Sequence, residues 1–116
     1  MFEICHYNFR MVSQGDWIKT TYKIYNNKKI DIVNEYINKE SIDKTVEINL
    51  EDYNKLKTLI DRAILVNEKV VAYDGDTWSF IYYKNDKIYW QRETDYIYGI
   101  KELEDIANIL IKYNKE

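Results

Sequence analysis

Apolar and polar positions change period along the chain, and the changes mark out the elements. From Phe2 to Met11, Cys5, Tyr7, Phe9 and Met11 fall on one side of an extended chain. Phe2, Ile4, His6 and Asn8 fall on the other, which predicts a strand. Ser13, Gln14, Gly15 and Asp16 form a turn signal. Trp17 to Tyr25 then predicts a second strand, with Ile18, Thr20, Tyr22 and Ile24 sharing a side. The turn into the next strand, Ile30 to Tyr36, is decided by parity. A two-residue turn at Asn27 and Lys28 would set Ile24 against Asp31. A three-residue loop of Asn26, Asn27 and Lys28 sets Ile24 against Ile30 and Tyr22 against Ile32, which keeps apolar side chains on one face. Asn in that loop suits the left-handed conformation it needs.

Residues 37–45 are polar and lack a period, so the expectation there is a loop with at most one helical turn after Ser41. Val46 and Ile48 lead to Asn49. Beyond it Tyr53, Leu56, Leu59, Ile60, Ala63 and Ile64 recur at helical spacing. Asn49 is the expected N-cap, with Glu51 and Asp52 in the first turn, where the helix dipole favours negative charge. A second helix is expected from Ile100 to about Tyr113. Leu103, Ile106, Ala107 and Leu110 form its apolar stripe, and Glu102, Glu104 and Asp105 its outer side.

Between the helices lies the most aromatic stretch. Lys69 to Tyr73 predicts a short strand, Asp74 to Thr77 a turn, and Trp78 to Tyr83 a strand. A two-residue turn at Asn85 and Asp86 then pairs Lys84 with Lys87, Tyr83 with Ile88 and Ile81 with Trp90. That register leaves Trp78, Phe80, Tyr82 and Tyr89 on the opposite face, so both faces of the hairpin are expected to be apolar. An antiparallel sheet with one wet side alternates cleanly, and this one does not. A covering loop, a second subunit or a separate partner is therefore expected on the second face. Each hairpin also shows a weak echo of the other, from Trp17 to Ile30 and from Trp78 to Ile88, although shared hairpin chemistry explains the match as well. The expected architecture is an α+β domain spanning 1–116. It has an antiparallel sheet of about five or six strands in two hairpin-containing halves, with both helices packed on one face.

Composition narrows the function. A chain of 116 residues can bury a core unaided. Its aromatic share of 16%, with 12 tyrosines, is high and places amphipathic rings at half-buried or interfacial positions. The abundance of Lys, Ile, Asn and Tyr is also what an AT-rich genome would encode. A net charge of -3 and scattered lysines argue against recognition of nucleic acid through its phosphates. No stretch reads as a signal peptide or a membrane span, and the single cysteine forms no intrachain disulfide, so a cytoplasmic protein without a membrane anchor is expected.

Chemistry is thin. Cys5 and His6, adjacent in a strand, point to opposite faces and make no dyad. None of Ser13, Ser41 and Ser79 sits in a glycine-flanked strand-to-helix elbow. Asp74 and Asp76 around Gly75 form a turn and lack the further ligands of a calcium loop. No metal, cofactor or catalytic set is expected, and the chain is read as a non-enzyme. The leading expectation is a small binding protein that occludes or sequesters a macromolecule, as immunity proteins and phage inhibitors of bacterial defence do. Its contact residues are Trp78, Tyr82, Tyr89, Trp90, Glu93, Asp95, Tyr96 and Tyr98. The alternatives are a ligand pocket or unorthodox enzyme lined by Tyr and Asp, drawing on Asp74, Asp76 and His6, and a homodimer joined through the sheet.

Overall fold

The computed structural model describes residues 1–8, 15–65, 76–94 and 100–115. Its elements run β1 (Phe2–Asn8), β2 (Trp17–Ile24), β3 (Lys29–Tyr36), β4 (Lys39–Glu47), α1 (Leu50–Ile64), β5 (Asp76–Lys84), β6 (Lys87–Thr94) and α2 (Lys101–Asn114). The strands form one antiparallel sheet in the order β4-β3-β2-β1-β5-β6. β1 therefore pairs on both sides, joining the first run of strands to the later hairpin. The expected strand at Lys69 to Tyr73 lies outside the described residues.

Register lines up three rows of side chains on one face. The first runs Val46, Ile30, Ile24, Phe2, Tyr82, Trp90; the second Lys44, Ile32, Tyr22, Ile4, Phe80, Arg92; the third Ile42, Asn34, Thr20, His6, Trp78, Thr94. The apolar members of the first two rows merge with the buried stripes of both helices into one core, so α1 and α2 lie on this face. Leu56, Leu59, Ile60 and Ala63 come from α1, and Leu103, Ile106, Ala107 and Leu110 from α2, as their spacing requires, with Ile109 and Tyr113 added. The other face carries mixed polar residues such as Glu3, Lys23, Asp31 and Thr21, the alternation expected of a one-sided sheet.

The three-residue loop at 26–28 forms as parity demands, with Ile24 opposite Ile30 and Tyr22 opposite Ile32. Lys28, rather than an asparagine, takes the left-handed conformation, at φ 66°. The turn at Asn85 and Asp86 has φ of 54° and 62°, both positive as a type I′ hairpin requires.

Two expectations fail. Residues 39–47 are not a loop but the edge strand β4, in which only Lys44 and Val46 are even half-buried. An edge strand of which only Lys44 and Val46 reach toward the helices needs no apolar pattern, and charge along it discourages pairing with other chains. The second failure is in the β5–β6 register. Lys84 pairs with Lys87 and Tyr83 with Ile88, but a bulge on β6 then sets Trp90 opposite Tyr82 and Gln91 opposite Ile81. One inserted residue, Tyr89, reverses the parity of everything after it. Trp90 moves to the helix side, where its ring stacks on Phe2 at 6.5 Å and 11°. Both faces of the hairpin are thus not equally apolar.

The ends of the helices are tied together by polar bonds. Asn49 caps α1, its Oδ1 accepting from the Asp52 amide at 2.7 Å. The Asp52 carboxylate in turn accepts from the Tyr113 hydroxyl and, at 2.9 Å, from Lys112 Nζ, both on the last turn of α2. One residue further along α2, Asn114 and Asn34 exchange amide hydrogen bonds of 2.9 and 3.1 Å. Asn114 Nδ2 also reaches Tyr22 OH at 3.4 Å. The Lys44 ammonium donates to the Asn114 carbonyl, capping α2 with a cation where its dipole favours one.

Two outcomes test this arrangement. Ile4→Ala, emptying a fully buried central position, should cost about 2–5 kcal/mol in urea unfolding, and Val33→Ala on the open face about 1 kcal/mol or less. The hydrogen bonds from Tyr113 and Lys112 hold the Asp52 carboxyl below its ordinary 3.8. A depressed acid stabilises the fold fully above its unfolded value and loses that contribution as pH falls through the folded one. Stability measured from pH 6 downward should therefore fall less steeply in Asp52→Asn than in wild type below about pH 4.

Candidate partner-binding surface

Among the described residues, the rings singled out in the sequence range from buried to exposed. Trp78 is 4% exposed and Phe80 fully buried, and Tyr82 and Trp90 are half-buried against the core. Glu93 is exposed, but its pairing with Ser79 puts it on the open face, away from the rings. Asp95, Tyr96 and Tyr98 lie outside the described residues. So does Asp74, while Asp76 is described only as the first residue of β5, paired with Asn8. The structure therefore brings together Tyr82, Tyr89 and Trp90 from the expected set, and separates Trp78 and Glu93 from them.

His6 sits in the third row, half-buried, with Trp78 stacked on it at 3.9 Å and 14° and Trp17 at 4.7 Å on its flank. The Trp17 indole N–H donates to Thr20 Oγ1 at 2.7 Å, and that hydroxyl donates to Asn34 Oδ1 at 2.6 Å. This is the internal order of a polar core margin, with each donor matched to an acceptor. Cys5 lies on the opposite face from His6, buried, with its sulfur 3.7 Å from Thr21 Oγ1 and 3.8 Å from Glu3 Oε1. Nearby, Tyr7 is pushed up to about 12 by burial first, then by Cys5, Glu93 and Glu3. Its phenol therefore stays protonated at neutral pH. Among the described residues no three His, Cys, Asp or Glu side chains gather as metal ligands, and no helix is long and apolar enough to cross a membrane.

Exposed apolar surface gathers instead where the β5–β6 hairpin meets the end of α1. Leu65 is 80% exposed and Tyr89 60%, while Ile88, 56% exposed, lies opposite Tyr83 on the open face. Tyr89, the bulged residue, turns toward α1. Its ring meets that of Tyr82 edge-on at 5.7 Å, and Lys84 Nζ lies 5.3 Å from its centroid. Asp61, Ile64 and Leu65 of α1 and its C-cap complete the groove against Tyr82, Lys84 and Tyr89. Further back along α1, Tyr53 donates its hydroxyl to the Asn26 carbonyl at 3.1 Å, bridging helix and β2–β3 loop. A cleft of about 70 Å³ opens there over Phe2, Ile24 and Ile60, and it shares Asp61 and Tyr82 with the groove.

Leu65, Ile64 and Ile88 are absent from the expected set. Leu65 follows Ile64 at the end of the apolar stripe and reads as more of it, and Ile88 pairs with Tyr83 as expected. An exposed apolar patch rimmed by charge is the physical mark of an interaction surface. No protein-family model matches the sequence, and no curated protein does.

If this surface is free, substitutions on it cost little. Leu65→Ser should change unfolding free energy by about 0.5 kcal/mol or less, and Tyr89→Ser, which also removes the ring edge on Tyr82, by about 1 kcal/mol. Trp90→Ala, which removes the ring stacked on Phe2, should cost about 3 kcal/mol in the same assay.

Proposed function

We propose that this protein is a small non-enzymatic binding protein that occludes or sequesters a protein partner, in the manner of immunity proteins and phage inhibitors of bacterial defence, and that it works in the cytoplasm. The observation that carries the reading is the pair Leu65 and Tyr89, both more than half exposed and lining one groove where β6 meets the end of α1. Large side chains left in water forgo the stabilisation of burial, about 25 cal/mol for each Å² of apolar surface. A partner that covers them recovers it. Tyr89 supplies broad contact area with few rotors, as interface anchors do. The charged residues Asp61 and Lys84 beside it set orientation more than affinity. A single buried thiol suits a reducing compartment.

The test places a photoreactive benzoylphenylalanine at position 89, and a control at Ser41 on the exposed edge strand, in cells that make the protein naturally. The reading predicts one adduct of defined mass from position 89 and none from position 41. The cross-linked protein, once purified, should be inhibited by the wild-type chain at equimolar ratio and not by Tyr89→Ser. An adduct only to a second copy of this chain, or equal labelling from both positions, would contradict it.

A further inference from the structure

From the cleft behind that corner we infer a more specific site: it holds one branched aliphatic side chain of the partner, on a segment that carries acidic residues beside it. This rests on the proposed binding role and adds the chemistry of what is bound. Size sets the first limit. An enclosed cavity of about 150 Å³ accommodates benzene; the cleft, at about 70 Å³ and open on one side, takes an isobutyl or isopropyl group whole and would leave much of a ring outside. Its floor of Phe2, Ile24 and Ile60 is apolar.

Charge sets the second. Tyr53, Lys57, Asp61 and Ile64 recur at three- and four-residue steps along α1 and so share one side of it. Lys57 Nζ is held 5.5 Å from the centroid of Tyr53 at the rim of the cleft, and Lys84 stands over Tyr89 at the far end of the groove. Asp61 lies between these lysines along the helix. On a chain of net charge -3 this strip has lysines at both ends, which favours carboxylates beside each anchor and disfavours a basic segment. The cleft and groove meet at Asp61 and Tyr82, which line both, so an occupant's chain can run from one to the other. From residue 57 to residue 65 the helix rises about 12 Å, which an extended segment spans in about four residues. The matching partner segment therefore carries two aliphatic residues about four positions apart, with acidic neighbours.

Isovalerate, isovaleramide and isoamylamine present the same branched tip with a negative, neutral or positive head, and serve as probes. Titrated into ¹⁵N-labelled protein, isovalerate should move the amides of Asn26, Tyr53 and Lys57 with millimolar affinity, about fivefold tighter than isoamylamine, with isovaleramide between. Lys57→Glu, whose spectrum reports its own folding, should reverse the order of acid and amine. Absence of shifts at the cleft with all three probes, or tighter binding of the amine to wild type, would overturn the inference. Micromolar binding of free isovalerate would overturn it too, by making the cleft a small-ligand site. Each of these outcomes is separable from failure of the binding role itself, which is read from cross-linking at position 89.

Discussion

The fold depends on the burial of one face of a six-stranded sheet by only two helices. Two helices cannot cover six strands, so the apolar residues are rationed to the rows beneath them. Phe2 and Ile4 of β1 occupy the middle of these rows, each between a residue of β2 and one of β5. Toward the edges the same rows become half-exposed or charged, at Val46 and Lys44 on one side and Trp90 and Arg92 on the other. The polar bonds from Asn114 and from Asp52 fix where α2 ends, but the alternation along β1 fixes which face is covered.

The bulge at Tyr89 follows from the same constraint. Without it, Trp90 would stand on the open face among Ile81 and Tyr83, and the sheet would have two apolar sides with cover for one. With it, the largest ring on β6 stacks on Phe2, and the displaced residue, Tyr89, is carried to the corner beside Leu65. The surface read here as a binding site is thus a by-product of how the ribbon closes its core. The opposite face has a different character: carboxylates there outnumber lysines, and burial together with Glu93 and Glu3 keeps the Tyr7 phenol protonated.

Much of this was legible in the chain. The helix at Leu50, its asparagine cap and its buried stripe follow from period and capping chemistry, and the β2–β3 register follows from parity alone. Two features were not legible, for separate reasons. β4 is an edge with little to bury, so it carries no apolar signal to distinguish it from a loop. The bulge is an insertion of one residue in a run, Lys87 to Trp90, whose apolar members read equally well in either register. Its choice is made by Phe2, which lies far away in sequence and offers a ring for Trp90 to stack on. The same long-range choice decides which of the aromatic side chains remain outside: of the residues expected to make contact, Tyr89 is more than half exposed and Trp78 is buried.

Hydroxyl-radical footprinting read by mass spectrometry tests the central claim, that the bulge sends the large rings inward and leaves the corner bare. The account predicts rapid oxidation of Leu65, Ile88 and Tyr89, little at Trp78 and Phe80, and intermediate rates at Tyr82 and Trp90. Oxidation of Trp90 as fast as that of Tyr89, after correction for intrinsic reactivity, would place its ring on the open face and contradict both the register and the surface built on it.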